Sequence, residues 1–139
     1  MDNIGAIRRL ERAYGEQDYS TVDEILAEDF VAHTPGSEMM PPGREGAKAA
    51  DMGSHVSFPD KQTVIEDVFG EGELTVAHVR MTGTNKGGLA WAGIPANDRP
   101  INVDWIQISR HGPDGRIHET WAQMDTPTLM MQLGAMPGM

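Results

Sequence analysis

His33, Gln107 and Asp125 are the side chains of this 139-residue chain whose types and settings suit acid–base or polar catalysis. His33 closes the short run Phe30-Val31-Ala32 just ahead of a proline-rich loop. Imidazole titrates near neutral pH, so it can serve as the acid–base group of a pocket; a histidine bonded to backbone at a loop edge fits the same setting. Gln107 and Thr120 lie in successive strand-like runs and can hold a carbonyl or phenol oxygen, or form an ordinary cross-strand polar pair. Asp125 precedes the last helical run. It can cap that helix or, turned inward by a bulge, act as a carboxylate base. Trp91 and Trp105 can stack on a flat ligand or pack in the core. Tyr14, Phe30, Ala122 and Met124 complete the set expected to line a substrate site.

Other chemistries are excluded. The chain has no cysteine, hence no thiolate nucleophile and no disulfide framework. His33, His55, His78, His111 and His118 show no metal-ligand spacing, and no phosphate-cradling glycine loop or nucleophile elbow is present. Pairing with Arg80 or Arg110 suits Asp104 better than catalysis. The formal charge of −10 repels nucleic acid and anionic membranes. The start, Met1-Asp2-Asn3-Ile4-Gly5, lacks the basic and apolar regions of a signal peptide, so a cytoplasmic protein is expected.

The length suits one domain over residues 1–139. Ile4, Ile7, Leu10 and Tyr14 recur at helical spacing, with Arg8, Arg9, Glu11 and Arg12 between them, and Gly15 is expected to end this helix. Ser20 or Thr21 can cap a second short helix. Phe30 to His33 reads as a strand, Thr34 to Gly43 as a loop and Gly46 to Val56 as a third helix. The period then changes to strands. Thr63 to Phe69 and Leu74 to Thr82 form one hairpin, and a long loop carries Trp91. Ile101 to Arg110 and Arg116 to Asp125 form a second hairpin. A short helix through Leu129 and Leu133 follows, and the tail Gly134 to Met139 is expected to fray. Helices first and strands later predict an α+β domain, with the N-terminal helices packed on a curved antiparallel sheet.

A turn centred on Pro113-Asp114 pairs Gln107 with Thr120 and Trp105 with Ala122. Strand alternation then gathers Val103, Trp105, Gln107, Ser109, His118, Thr120, Ala122 and Met124 on one face. The other face carries an apolar strip of Ile106, Ile108, Ile117 and Trp121. The helices cover one face only; a second copy of the sheet, giving a homodimer, is expected on the other, with the C-terminal segment folded back over it as the alternative.

Ala90-Trp91-Ala92-Gly93-Ile94-Pro95-Ala96-Asn97-Asp98-Arg99-Pro100 resembles the loop motif of SnoaL-like proteins, of the nuclear transport factor 2-like superfamily. So do Phe58-Pro59-Asp60, Met81-Thr82-Gly83-Thr84, Asp114-Gly115-Arg116-Ile117 and Met124-Asp125…Gln132-Leu133-Gly134, in order along nearly the whole chain. The resemblance implies a cone-shaped α+β barrel around a mostly apolar cavity for a hydrophobic aromatic small molecule. It also implies a cofactor-free enzyme of aromatic polyketide biosynthesis. Matched residue by residue, the cyclase Asp falls at Ala122 and the cyclase His at Gln107, so both acid–base groups are absent. Asp125 matches a position that usually also carries Asp. Without the cyclase pair, hydroxylation of an anthracycline-like polycyclic substrate is the expectation. A cyclase or isomerase with its base moved to His33 or Asp125, and a non-catalytic ligand-binding protein, are the alternatives.

Overall fold

The structure, a computed structural model, describes residues 2–136. Helix α1 (Asn3–Glu16) starts where the Asp2 carboxylate accepts the Gly5 N–H, and buries Ala6, Ile7, Leu10 and Ala13 along one stripe. Gly15 lies inside this helix rather than ending it. Gln17 adopts the left-handed conformation (φ 56°) itself, and its N–H reaches the Ala13 and Tyr14 carbonyls. Helix α2 (Tyr19–Ile25) is capped by Asp18, not by Ser20 or Thr21, because the Asp18 carboxylate collects the Thr21 N–H and both hydroxyls. Strand β1 (Leu26–His33) follows at once, and α3 (Gly43–Ser57) comes after the proline loop. Gly46 lets that loop lie on α3, since a Cβ there would stand 1.9 Å from the Pro41 carbonyl oxygen.

Strands β2 (Gln62–Glu71), β3 (Leu74–Thr84), β4 (Pro100–His111) and β5 (Ile117–Met124) then build the sheet, and α4 (Thr126–Gln132) closes the described chain. The spatial order is β1-β5-β4-β3-β2. The α+β architecture is as expected. The sheet itself is mixed, because β1 runs parallel to β5 while the other pairs are antiparallel. It remains open, with β1 and β2 as edges, instead of closing into a barrel. Part of the expected frayed tail, residues 137–139, lies outside the described residues.

The second hairpin pairs Gln107 with Ala122, Trp105 with Met124 and Ser109 with Thr120. This register differs by two residues from the expected one, because the loop between Gly112 and Arg116 holds three residues (Gly115 φ 78°) and a bulge adds one more. A slip of two keeps every paired side chain on its face. A bulge between Arg110 and His111 changes the start of β5, however. Ile117 becomes a fully buried core residue instead of joining the outer strip, and His118 turns out to Asp29 and Asp114.

The core has two parts. One joins α1 and α2 to Leu26, Phe30, Ala77, Val79 and Ile117. The other joins α4 and the long loop, through Leu89, Ile94, Leu129 and Leu133, to Met81, Ile101 and Val103. Trp105 packs against both. Helix α1 lies over β2 and β3, α3 against β1 and α4 against β4. The inward side chains of β5, Thr120, Ala122 and Met124, stay half-buried. The helices therefore cover the inner face of β5 only in part, leaving a recess beside β4. No helix among the described residues is long and apolar enough to cross a membrane.

Candidate functional site

Trp105 and Gln107 point to the concave face of β4, and the indole Nε1 donates to Gln107 Oε1 at 2.8 Å. An indole nitrogen only donates, so this bond fixes which end of the amide is oxygen. The amide nitrogen is left to face the opposite wall. There α1 brings the Glu11 carboxyl against Gln107. Burial raises the Glu11 pKa from the usual 4.5 to about 7, reinforced by the Asp51 carboxylate and opposed by the Lys61 ammonium and the Gln107 hydrogen bond. A carboxyl poised there holds or releases a proton at physiological pH. One helical turn on, Tyr14 stands beside it, and burial and the Glu11 carboxylate push its phenol further up, so it stays protonated and can donate.

Asp51 of α3 backs this group. It accepts from Tyr19 Oη at 2.8 Å and Lys61 Nζ at 2.9 Å. Glu11, Asp51, Lys61 and Tyr19 were not among the sequence-derived candidates. For Glu11 the signal was present. It lies four residues after Ile7 and three before Tyr14, which puts it on the apolar stripe rather than among the exposed arginines.

Of the expected residues, the fold gathers Tyr14, Trp105, Gln107, Ala122 and Met124 around the recess. Gln107 faces Ala122 directly across the β4–β5 ladder, so the two positions matched to the cyclase acid–base pair are true neighbours. Thr120 shares their face but pairs with Ser109, its hydroxyl 3.1 Å away, rather than with Gln107.

Three other expectations are corrected, for His33, Trp91 and Phe30, and of the two alternatives for Asp125 the structure takes the helix cap. His33 lies on the outer face, because β1 alternates Phe30 in, Val31 out, Ala32 in. There it bonds Glu119 at 2.6 Å and stacks on Trp121, with centroids 5.4 Å apart. Asp125 does not turn inward. It caps α4, and hydrogen bonds from Thr128 hold its carboxyl below the ordinary value. Trp91 sits on a 3-10 turn, 63% exposed, because Leu89 and Ile94 are the loop's buried anchors. Phe30 is core, 5% exposed, and borders a groove of about 820 Å³ between β1 and the proline loop rather than the recess over β4. Among the described residues no cluster of three or more His, Cys, Asp and Glu is placed to hold a metal ion.

A family model for SnoaL-like polyketide cyclase matches residues 5–133. The solved structure of IdmH, a candidate polyketide cyclase from Streptomyces antibioticus, is similar at 30% identity and TM-score 0.82, over 96% of this chain and 99% of that one. TsrD from Streptomyces laurentii is similar at 28% identity and TM-score 0.83, over 95% and 94% of the two chains. AclR from Streptomyces galilaeus, a candidate hydroxylase, is 18% identical over 97% of this chain and 86% of its own, with TM-score 0.81; that likeness is of fold alone. Orotidine 5'-phosphate decarboxylase of Sordaria macrospora is 29% identical over 83 residues, 55% of this chain. The match covers only 21% of that curated relative's own length.

Proposed function

We propose that this chain, which belongs to the SnoaL-like polyketide cyclase family, uses Glu11 as the general acid–base of an intramolecular aldol cyclisation of a hydrophobic polyketide-type carbonyl compound. The observation that carries the reading is the half-buried Glu11 carboxyl beside Gln107, its pKa raised to about 7. The concave face of the hairpin holds no carboxylate, and α1 supplies one from the opposite wall. The absence of a carboxylate was the argument for hydroxylation, so its return favours the cyclase.

The steps balance without a co-reactant. The Glu11 carboxylate takes a proton from the carbon beside a ketone. The enolate oxygen accepts hydrogen bonds from the Tyr14 phenol and the free Gln107 N–H. The enolate carbon attacks a second carbonyl of the same molecule, and the new alkoxide takes the proton back from Glu11. Trp105, Met124 and Ala122 supply the apolar wall that excludes water and holds the folded chain of the substrate.

Incubation with an aromatic polyketide carrying an uncyclised β-diketone, in air, followed by mass spectrometry, tests this. An isomeric product, or one that has lost water, formed by the wild type and not by E11Q, is expected. A gain of one oxygen atom supports hydroxylation instead. Binding of a flat apolar dye with no turnover of any substrate supports a ligand-binding role. The outer sheet face, with Ile106 55% exposed beside Ile108 and Trp121, further supports a homodimer in which a second copy covers that strip.

A further inference from the structure

The groove of about 820 Å³ between β1 and the proline loop is walled by Ala32 of β1 and by Met40 and Pro41 of the loop, and α3 lines it with Gly46, Ala47 and Ala50. None of these three carries more than a methyl, so the space between α3 and β1 stays open. The groove ends one strand away from the recess. The register sets Thr75, Ser109, Thr120 and Ala32 in one row across the concave face, from β3 to β1. Ala32 lines the groove, and its neighbour Thr120 stands half-buried in the recess. From β4, where Gln107 lies, to β1 is two strand spacings, roughly 10 Å. Thr75 and Ser109 are fully buried and their hydroxyls are engaged, Thr75 with His111 Nε2 at 2.9 Å and Ser109 with Thr120 at 3.1 Å. A hydroxyl both donates and accepts, so Thr120 keeps a hydrogen bond for a ligand after Ser109 has taken one.

We propose that the β1 groove is a second binding subsite, joined to the recess at Ala32 and Thr120, for the end of a planar polycyclic ketone remote from its reacting carbon, with the Thr120 hydroxyl holding an oxygen between the two. The proposal deepens the reading of a hydrophobic polyketide-type substrate and rests on it. Apolar walls select a ring system over a polar chain. Glu28 and Glu38 stand exposed at the rim and repel an anion, so the end held here is neutral or basic. Binding a remote part of the molecule in this way fixes the reacting carbon over Gln107.

Carbon-13 methyl NMR of methionine-labelled protein reads both places at once, since Met40 lines the groove and Met124 the recess. M40L and M124L assign the two signals. The probe is tetracenequinone, a neutral tetracyclic diketone, with the bicyclic ketone tetralone as the short control. Tetracenequinone is expected to move both methyl signals with one midpoint. A50F, which fills the groove from an exposed position of α3, is expected to weaken it about tenfold, while tetralone, too short to leave the recess, binds wild type and A50F alike. T120V is expected to weaken tetracenequinone about fivefold, the scale of one hydrogen bond. Movement of the Met124 signal alone, separate midpoints for the two methyls, no movement of either, or undiminished affinity in A50F or T120V overturns the proposal. The readout is binding of an inert probe, so its failure is distinct from failure of the Glu11 reading, which the turnover of E11Q decides.

Discussion

Trp105 Nε1 and Gln107 Oε1, two residues apart on the concave face of β4, are joined by a 2.8 Å hydrogen bond that fixes the amide's orientation toward Glu11. Trp105→Phe keeps the ring and removes the donor. The amide is then free to turn its oxygen toward the Glu11 carboxylate, and a bond favouring the ionised form is lost. Turnover is expected to fall about tenfold, the scale of one hydrogen bond. The pH profile moves up because the carboxyl holds its proton more tightly. An unchanged kcat/KM–pH profile in this variant would show that the indole bond does not tune Glu11.

Glu11→Gln separates activity from stability. Removing the base is expected to lower turnover by roughly 10²- to 10⁴-fold. Stability should change the other way. The folded pKa, about 7, lies above the usual 4.5, so between these values the native state binds more protons than the unfolded state. Wild-type stability then falls as pH rises through this window and levels off above it. Glutamine carries no charge and avoids the loss. Urea unfolding is expected to find E11Q more stable by up to about 3 kcal/mol at pH 8 and equal to wild type at pH 4. A variant no more stable at pH 8 than at pH 4, relative to wild type, would place Glu11 in water.

How far the site was legible in the sequence depends on which kind of spacing carried each residue. Alternation along the second hairpin placed Trp105, Gln107, Ala122 and Met124 on one face, and survived a register error because the error was two residues. The same rule puts residues three apart in a strand on opposite faces, so Phe30 and His33 could not both line a pocket. Glu11 was visible as a stripe residue of α1 but was taken with its charged neighbours. Ile117 escaped because a bulge changes parity without any mark in composition. The Asp51–Lys61 pair and the parallel β1–β5 ladder depend on which elements meet in space. No local pattern encodes that.

His33→Ala addresses the outer face. The imidazole stacks on Trp121 and bonds Glu119, on the side of the sheet away from Gln107. Turnover and its pH profile are expected to stay within twofold of wild type, because an exposed pair of this kind contributes little. A loss of a hundredfold in kcat with the fold intact by circular dichroism would return His33 to the reaction.

Ile106→Asp with Ile108→Asp addresses the proposed dimer. Both side chains stand exposed on β4, at 55% and 39%, beside Trp121. Two buried carboxylates per protomer, facing two more across a two-fold axis, cannot be desolvated at neutral pH. Sedimentation velocity is expected to give a dimer for the wild type and a monomer for the double variant. A wild type that sediments as a monomer at tens of micromolar leaves this face without a second copy.

Asp125→Ala separates the cap from catalysis. The carboxylate accepts the Thr128 N–H at 3.1 Å as well as the Thr128 hydroxyl, and these bonds hold its pKa below the ordinary 3.8. A depressed folded pKa means stabilisation that is present above the unfolded value and is lost as pH falls through the folded one. The melting temperature is therefore expected to drop by a few degrees at pH 7, with the gap from wild type narrowing as pH falls past the ordinary aspartate range. Helix α4 carries Leu129, which is buried against Trp105's second core, so fraying at this end loosens one wall of the recess. The substrate KM should rise modestly while the midpoint of the pH profile stays where Glu11 sets it. A moved midpoint with an unchanged melting temperature would make Asp125 part of the proton-transfer chemistry after all.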